Sequence, residues 1–342
     1  MNWLVTSDIH LSDRPRDQHR FGLFRWLAQQ LKIHGVTATF ILGDLTEKKD
    51  NHSATLVNRT IDEMTQLKPP VYILRGNHDG LDPDNPFFRF MGSIDGFDFI
   101  HQPYFDTGLR VGLIPHYRTQ QEFDQALSVL QPHTTAVMCH QTFDGAIAET
   151  GVKLNGLSTG SLAAAKPLLV LAGDVHRPQS QGIITYVGAP YHVRFGDNFD
   201  PRVLLITGTN VPLGLEALQF NAPRKWVVRT EKAWELPKQV RKGDHVKVIL
   251  TLEREDAVNW HHHRRAMLGL CRDKGLEVFG IDLQIRGETI KTDSERSELQ
   301  TPEQILTAFC NHEGVTDELR TAGLKLLNDH NRRSRQSTVE RS

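Results

Sequence analysis

Trp3-Leu4-Val5-Thr6-Ser7-Asp8-Ile9-His10 runs an apolar, strand-forming segment straight into a carboxylate and an imidazole. The pattern recurs down the chain. Thr39-Phe40-Ile41-Leu42 meets Gly43-Asp44, and Val71-Tyr72-Ile73-Leu74 is followed by Gly76-Asn77-His78-Asp79. Ala136-Val137-Met138-Cys139 ends at His140, and Leu168–Ala172 ends at Gly173-Asp174-Val175-His176. Such apolar runs bounded by Gly and polar residues read as buried strands, and Val111–Ile114 and Ile183–Val187 join them. Phe21–Ile33 and Leu56–Leu67 carry apolar residues at helical spacing between the early strands. Strand–helix–strand order predicts a layered α/β fold, with chemistry in the loops after the strands' carboxyl ends. Every polar motif falls there.

The residue types in those loops suit hard divalent cations, which accept carboxylate oxygen and imidazole nitrogen. Asp8 and His10, two apart on the emerging strand, point to one side and can hold one ion. Asp44, after a glycine that permits a tight turn, is placed to bridge two. Asn77 offers a neutral amide oxygen, while His140 and His176 complete the cage. Two ions roughly 3.5–4 Å apart can clamp a phosphate and activate water for in-line attack. Singly, each motif is weak: Asp-X-His or Asn-His-Asp alone is usually a turn or a satisfied polar site. Their joint occurrence, each behind an apolar strand, carries the metal reading.

The 342 residues favour two domains over one. Hydrophobic content of 39%, charged content of 24% and a net charge of −1 describe an ordinary globular chain with no global nucleic-acid signal. Cys139, Cys271 and Cys310 are the three cysteines, too scattered for a disulfide framework or a thiolate zinc site. With no apolar run of about 18 residues, a cytoplasmic location without membrane contact is expected.

Composition shifts at Ala222-Pro223. Arg224–Leu250 holds eight Lys/Arg against three acids, a local excess of +5. Val246–Leu252, a helix near 256–274 and Glu277–Ile285 suggest a small β-α-β unit. Thr301-Pro302-Glu303-Gln304 is a helix start with a hydroxyl cap, and helices are expected near 302–312 and 316–329. The expected organisation is a main domain over 1–222, a second over 223–298, helices over 299–330 and a flexible basic tail over 331–342.

The ordered set Asp8-X-His10, Gly43-Asp44, Gly76-Asn77-His78-Asp79, His140 and Gly173-Asp174-Val175-His176 resembles the calcineurin-like metallophosphoesterases over about residues 1–206. That resemblance implies a four-layer α/β sandwich, two β-sheets flanked by helices, followed here by a small C-terminal α+β capping domain. It implies two divalent ions, Mn²⁺ first and Mg²⁺ second. Asp8, His10, Asp44 and His176 would hold one, and Asp44, Asn77, His140 and Asp174 the other. His78 would act as general acid or stabilise the transferring phosphoryl group, oriented by Glu47 at a position the family often uses. Asp174 departs from the family's histidine; a carboxylate there keeps a ligand but should favour Mn²⁺ or Mg²⁺ over zinc-like ions.

Substrate class is read from looser features. Lys48-Lys49 after Glu47 departs from the Arg-Gly of phosphoprotein phosphatases. Val187-Gly188-Ala189-Pro190 leading to Arg194-Phe195-Gly196-Asp197, Pro223-Arg224-Lys225-Trp226 opening the next segment, and the expected C-terminal helices resemble SbcD-type DNA repair nucleases. By that resemblance the partners are DNA, an SbcC-like SMC-family ATPase and a second copy of the chain. Arg14, Arg16, Arg194, Arg224 and Lys225 are the candidate phosphate contacts, with Arg20 nearby. Trp226, Trp234 and Trp260 are expected as buried anchors before base-stacking residues, and His261-His262-His263 as surface. Two other readings stay open: a phosphodiesterase of cyclic nucleotides or other small phosphoesters, and a non-catalytic assembly subunit.

Overall fold

Side chains that alternate along the strands sort this molecule into layers. The structure is a computed structural model and describes residues 2–68, 70–208 and 213–286, with Thr321 and Lys325. The first sheet has the order β12-β11-β1-β2-β3-β4, with β1 (Asn2–Thr6), β2 (Ala38–Ile41), β3 (Val71–Leu74), β4 (Phe97–Ile100), β11 (Val203–Thr207) and β12 (Gly214–Leu218). Strands β1 to β4 are parallel, whereas β11 runs antiparallel to both its neighbours. The second sheet has the order β5-β6-β7-β8-β10-β9, with β5 (Tyr104–Asp106), β6 (Val111–Ile114), β7 (Ala136–His140), β8 (Leu169–Gly173), β9 (Gln179–Gln181) and β10 (Ile184–Tyr186). Its four inner strands are parallel and its edges antiparallel.

Three apolar cores separate four layers. Leu4, Ile41 and Ile73 of the first sheet pack with Phe24, Leu27 and Leu56 of helices α1 (Gly22–Ile33) and α2 (Ala54–Met64). Their strand neighbours Trp3, Val5, Phe40 and Tyr72 turn the other way, onto Leu113, Met138 and Leu171 of the second sheet. Val137, Val170 and Ala172 then face Phe123 and Leu162 of α3 (Gln120–Ala126) and α4 (Gly160–Ala165). The expected four-layer sandwich is therefore present. The sequence pattern did not single out β4, β5, β9, β11, β12 or the strand at Lys225–Thr230. Most are short or edge strands; β11 is apolar from Val203 to Ile206 but leads to no polar motif.

A third sheet, order β13-β14-β15, is built from β13 (Lys225–Thr230), β14 (His245–Leu252) and β15 (Glu277–Ile285). A short helix α5 (Arg254–Ala257) precedes α6 (Trp260–Asp273), and Met267 and Cys271 of α6 pack on Val228, Val246 and Val248. Trp226 and Trp260 support this core as expected, but Trp234 is 65% exposed. The triple histidine is surface, with His261 and His262 exposed.

Met1–Thr251 with Glu255–Leu283 form one compact unit, so the sandwich and most of the third sheet belong together. Leu252–Arg254 with Gln284–Ser342 form another, in which the Arg286 guanidinium lies 2.7 Å from Glu253 Oε1. Apart from Thr321 and Lys325, the end of the expected second domain at 287–298, the helices of 302–312 and 316–329 and the tail of 331–342 lie outside the described residues. Among the described residues no helix is long and apolar enough to cross a membrane.

Candidate metal centre

The loops that leave β1, β2, β3, β7 and β8 meet at one end of the sandwich and bend sharply to do so. Asp8, His10, Asp44 and Asp174 have φ of 55°, 48°, 54° and 79°, the left-handed region that ordinary side chains avoid. Asp8 and His10 are thus not on an extended strand, as the two-residue spacing suggested. β1 ends at Thr6, and the turn brings both side chains into the same donor set. Gly43, at φ 87°, is needed for a second reason: a Cβ there would collide with the His140 ring.

Asp79 fastens these loops. Fully buried, its carboxylate accepts from Asp44 N at 2.8 Å, Leu45 N at 2.8 Å and Gly76 N at 2.7 Å. Three backbone donors on one buried carboxylate fix the turn after β2 against the turn after β3.

Three overlapping sets of donor atoms result, each with all atoms within 4.8 Å of one another: Asp8, His10 and His176; His10, Asp44 and His78; and Asp8, Asp44 and His140. Asp44 splits its two oxygens between them. Oδ2 lies 3.5 Å from His10 Nε2, and Oδ1 lies 3.4 Å from His140 Nε2. The Nε2 atoms of His10 and His176 face each other at 3.1 Å. His140 gives its other nitrogen to the Leu42 carbonyl, which leaves Nε2 free toward the carboxylates.

Asp174 lies beside the set of Asp8, Asp44 and His140. Its Oδ1 accepts from Asn77 Nδ2 at 2.8 Å and lies 3.6 Å from His140 Nε2; its Oδ2 accepts from Thr142 Oγ1 at 2.6 Å. Holding the Asn77 amide by its nitrogen leaves Asn77 Oδ1 buried and without a partner. On the other side, Glu149 Oε1 lies 2.8 Å from His176 Nδ1, a carboxylate that fixes the ring while Nε2 faces the site.

The electrostatics are those of a crowded, dry cluster. Burial raises the carboxyls of Asp8 and Asp44 above their ordinary range, against the pull of His140. Burial also lowers His10, and the neighbouring His176 and His78 push it further down. Burial opposes the charged form of His140, but Asp44 and Asp174 outweigh it and hold the ring well above its usual value. The hydrogen bond from His176 holds Glu149 down to about 2. Asp8 Oδ2, Asn77 Oδ1 and His140 Nε2 are buried with no hydrogen-bond partner. An unpartnered carboxylate oxygen, amide oxygen and imidazole nitrogen, in a set of carboxylates, imidazoles and one amide, fit hard divalent cations, which would take the place of the proton on His140.

His78 donates its backbone N–H to Asp44 Oδ1 at 2.8 Å, and its Nδ1 meets the Glu47 backbone carbonyl at 2.8 Å. This corrects the expected role of the Glu47 side chain: the carbonyl orients His78. The Glu47 carboxylate turns instead toward His10 Nδ1 at 3.5 Å and the Arg14 guanidinium at 3.8 Å.

The candidate phosphate contacts separate. Lys225 is buried, with Nζ 2.9 Å from Asp17 Oδ1 and 3.1 Å from the Val193 carbonyl, and so cannot meet a phosphate. Arg20 is buried too; it pairs with Asp17 at 2.9 Å and bonds the His10 carbonyl. Arg224 pairs with Asp200 at 2.6 Å. Arg14 and Arg194 are exposed, and Arg16 keeps more than a third of its side chain open to solvent. Asp79, Thr142 and Glu149 are the site residues that sequence reading missed. Asp79 stood in view beside Asn77-His78, but nothing in the pattern marks Thr142 or Glu149.

A family model described as calcineurin-like phosphoesterase matches residues 1–208. No protein of curated function matches the chain. Among solved structures, one titled as a novel archaeal phosphodiesterase is similar at 14% identity over 64% of this chain and 100% of that one, with a TM-score of 0.36. The family match covers more than half of the sequence and every candidate ligand. The chain belongs to the calcineurin-like phosphoesterase family.

Proposed function

We propose that the protein is a Mn²⁺-dependent DNA nuclease of SbcD type that hydrolyses phosphodiesters with two metal ions. The observation that carries the two-metal reading is Asp44, whose oxygens face His10 on one side and His140 on the other. Asp8, His10, Asp44 and His176 would hold one ion, and Asp44, Asn77, His140 and Asp174 the other. When bound, the ions supply Lewis acidity toward the phosphoryl oxygens and a more acidic water as nucleophile. The chain's own residues do the rest. Glu149 and the Leu42 carbonyl fix the His176 and His140 rings, and Asp79 holds Asp44 in place. With Nδ1 on the Glu47 carbonyl, His78 presents Nε2; in its protonated form that atom donates to the leaving oxygen.

DNA as substrate is supported by exposed Arg14 and Arg194, by the basic excess that 224–250 keeps without the buried Lys225 and by the exposed Trp234 ring, a surface on which a base can stack. An SMC-like ATPase partner and a homodimer follow from the same resemblance and, with a cytoplasmic setting, belong to this proposal.

The test incubates single- and double-stranded DNA with the purified chain and Mn²⁺, beside bis(p-nitrophenyl) phosphate. Cleavage of DNA is expected, with Asp44→Ala and His78→Ala each reducing it by about 10²-fold or more. Undiminished cleavage by Asp44→Ala would contradict the mechanism. Turnover of the small diester with DNA left intact would move the protein to the small-phosphoester reading.

A further inference from the structure

The loops after β3 and β6 border a cleft of 510 Å³ whose wall includes Asn77 and His78, so it opens directly beside the metal donors. That volume lies in the range of small-ligand sites, about 300–1,000 Å³. Its charged lining has a cationic excess: Lys49, Arg75 and Arg118 against Asp84 and Glu122. Glu122 is already committed, its Oε2 accepting from the Thr119 backbone at 3.1 Å and hydroxyl at 2.8 Å.

Arg75 is 5% exposed; it bonds the His116 carbonyl, and its Nε is buried with no hydrogen-bond partner. A guanidinium held this deep in a cleft wall fixes positive charge there, in the field of the Asp79 and Asp84 carboxylates. Arg118 is exposed and Lys49 half-buried, and among the described residues neither side chain has a hydrogen bond or a close ion pair. Tyr117 also lines the cleft, half-buried, with its backbone N–H on Gln141 Oε1 at 3.2 Å.

The metal centre meets the phosphate that is cut, so cations in the adjoining cleft call for a second anion. A cyclic nucleotide or a simple diester brings one phosphate only. A nucleic-acid strand carries one charge per about 3.4 Å of axis. We infer that this cleft receives the nucleotide next to the scissile bond, with Lys49 and Arg118 on its phosphate and the Tyr117 ring against its base. This inference rests on the nuclease reading and makes the site one for strands.

The test measures anisotropy of a fluorescent oligothymidine decamer on the full chain with Mn²⁺, in a His78→Ala background that slows cleavage. Adding Lys49→Ala or Arg118→Ala should weaken binding and flatten the slope of log affinity against log salt by about 0.7 for each phosphate no longer neutralised. Lys32→Ala, an exposed change at the end of α1, serves as the control and should leave both values unchanged. Slopes in the Lys49 and Arg118 variants equal to the parent's would overturn the cleft assignment, even if the wild type cuts DNA. Flattened slopes with no cleavage by the wild type would keep the cleft and overturn the nuclease. Absence of decamer binding would overturn both.

Discussion

Asp174 accepts from Asn77 and Thr142 while it faces His140, so one carboxylate organises three neighbours beside the donor set of Asp8, Asp44 and His140. A histidine there could neither hold the Asn77 amide in the same way nor oppose His140 with negative charge. Asp174→His should therefore keep phosphodiester hydrolysis but shift the preference from Mn²⁺ or Mg²⁺ toward zinc-like ions, read as turnover across a metal series. An unchanged metal profile would show that Asp174 is no ligand. Glu149→Gln should weaken metal binding by roughly 10–100-fold, measured by Mn²⁺ titration, because it removes the charge that orients His176. Wild-type affinity would show that the Glu149 carboxylate does not matter to the ring. The candidate ligands were legible in the sequence because each follows an apolar strand. Thr142 and Glu149 were not, because they act through contacts across 32 and 27 residues that no local pattern encodes.

At the scale of elements, β13 reaches the metal loops through a buried chain of charges. Lys225 at its start pairs with Asp17, Asp17 pairs with Arg20, and Arg20 bonds the carbonyl of the metal-candidate His10. Removing one member of a buried ion pair strands the others. Lys225→Met should thus cost about 3–5 kcal/mol in urea unfolding; a loss under about 1 kcal/mol would show that Asp17 and Arg20 satisfy each other alone. The charge run of 224–250 announced a basic segment, yet it could not tell which cation turns inward. Asp17 and Lys225 are 208 residues apart, and their pairing is fixed only by tertiary structure. Strand positions fared better: Val71–Leu74 and Val111–Ile114 lie where their apolar runs place them. Tyr104–Asp106 and Gln179–Gln181, short edge strands with mixed residues, carry too weak a period to be read.

Across the whole molecule, burial keeps several histidines neutral. It lowers His19 to about 3 and His116 to about 4, from an ordinary value of 6.5. The unfolded chain binds protons at these rings before the folded one does. Their contribution to stability is therefore complete above pH 6.5 and falls away as pH drops through the range down to about 3. Denaturant midpoints should decline over that window, and His19→Gln should make the decline shallower; an identical pH profile would contradict its buried, neutral state. Near neutral pH the same fold holds Asp8, Asp44 and Asp174 around His10, His140 and His176, with buried acceptors left open. Counting bound metal tests that arrangement most directly. Mn²⁺ titration of the purified full chain, with bound metal measured after desalting, should give two ions per chain, and fewer in Asp44→Ala. Less than one ion per chain in the wild-type protein would contradict a two-metal phosphodiesterase centre.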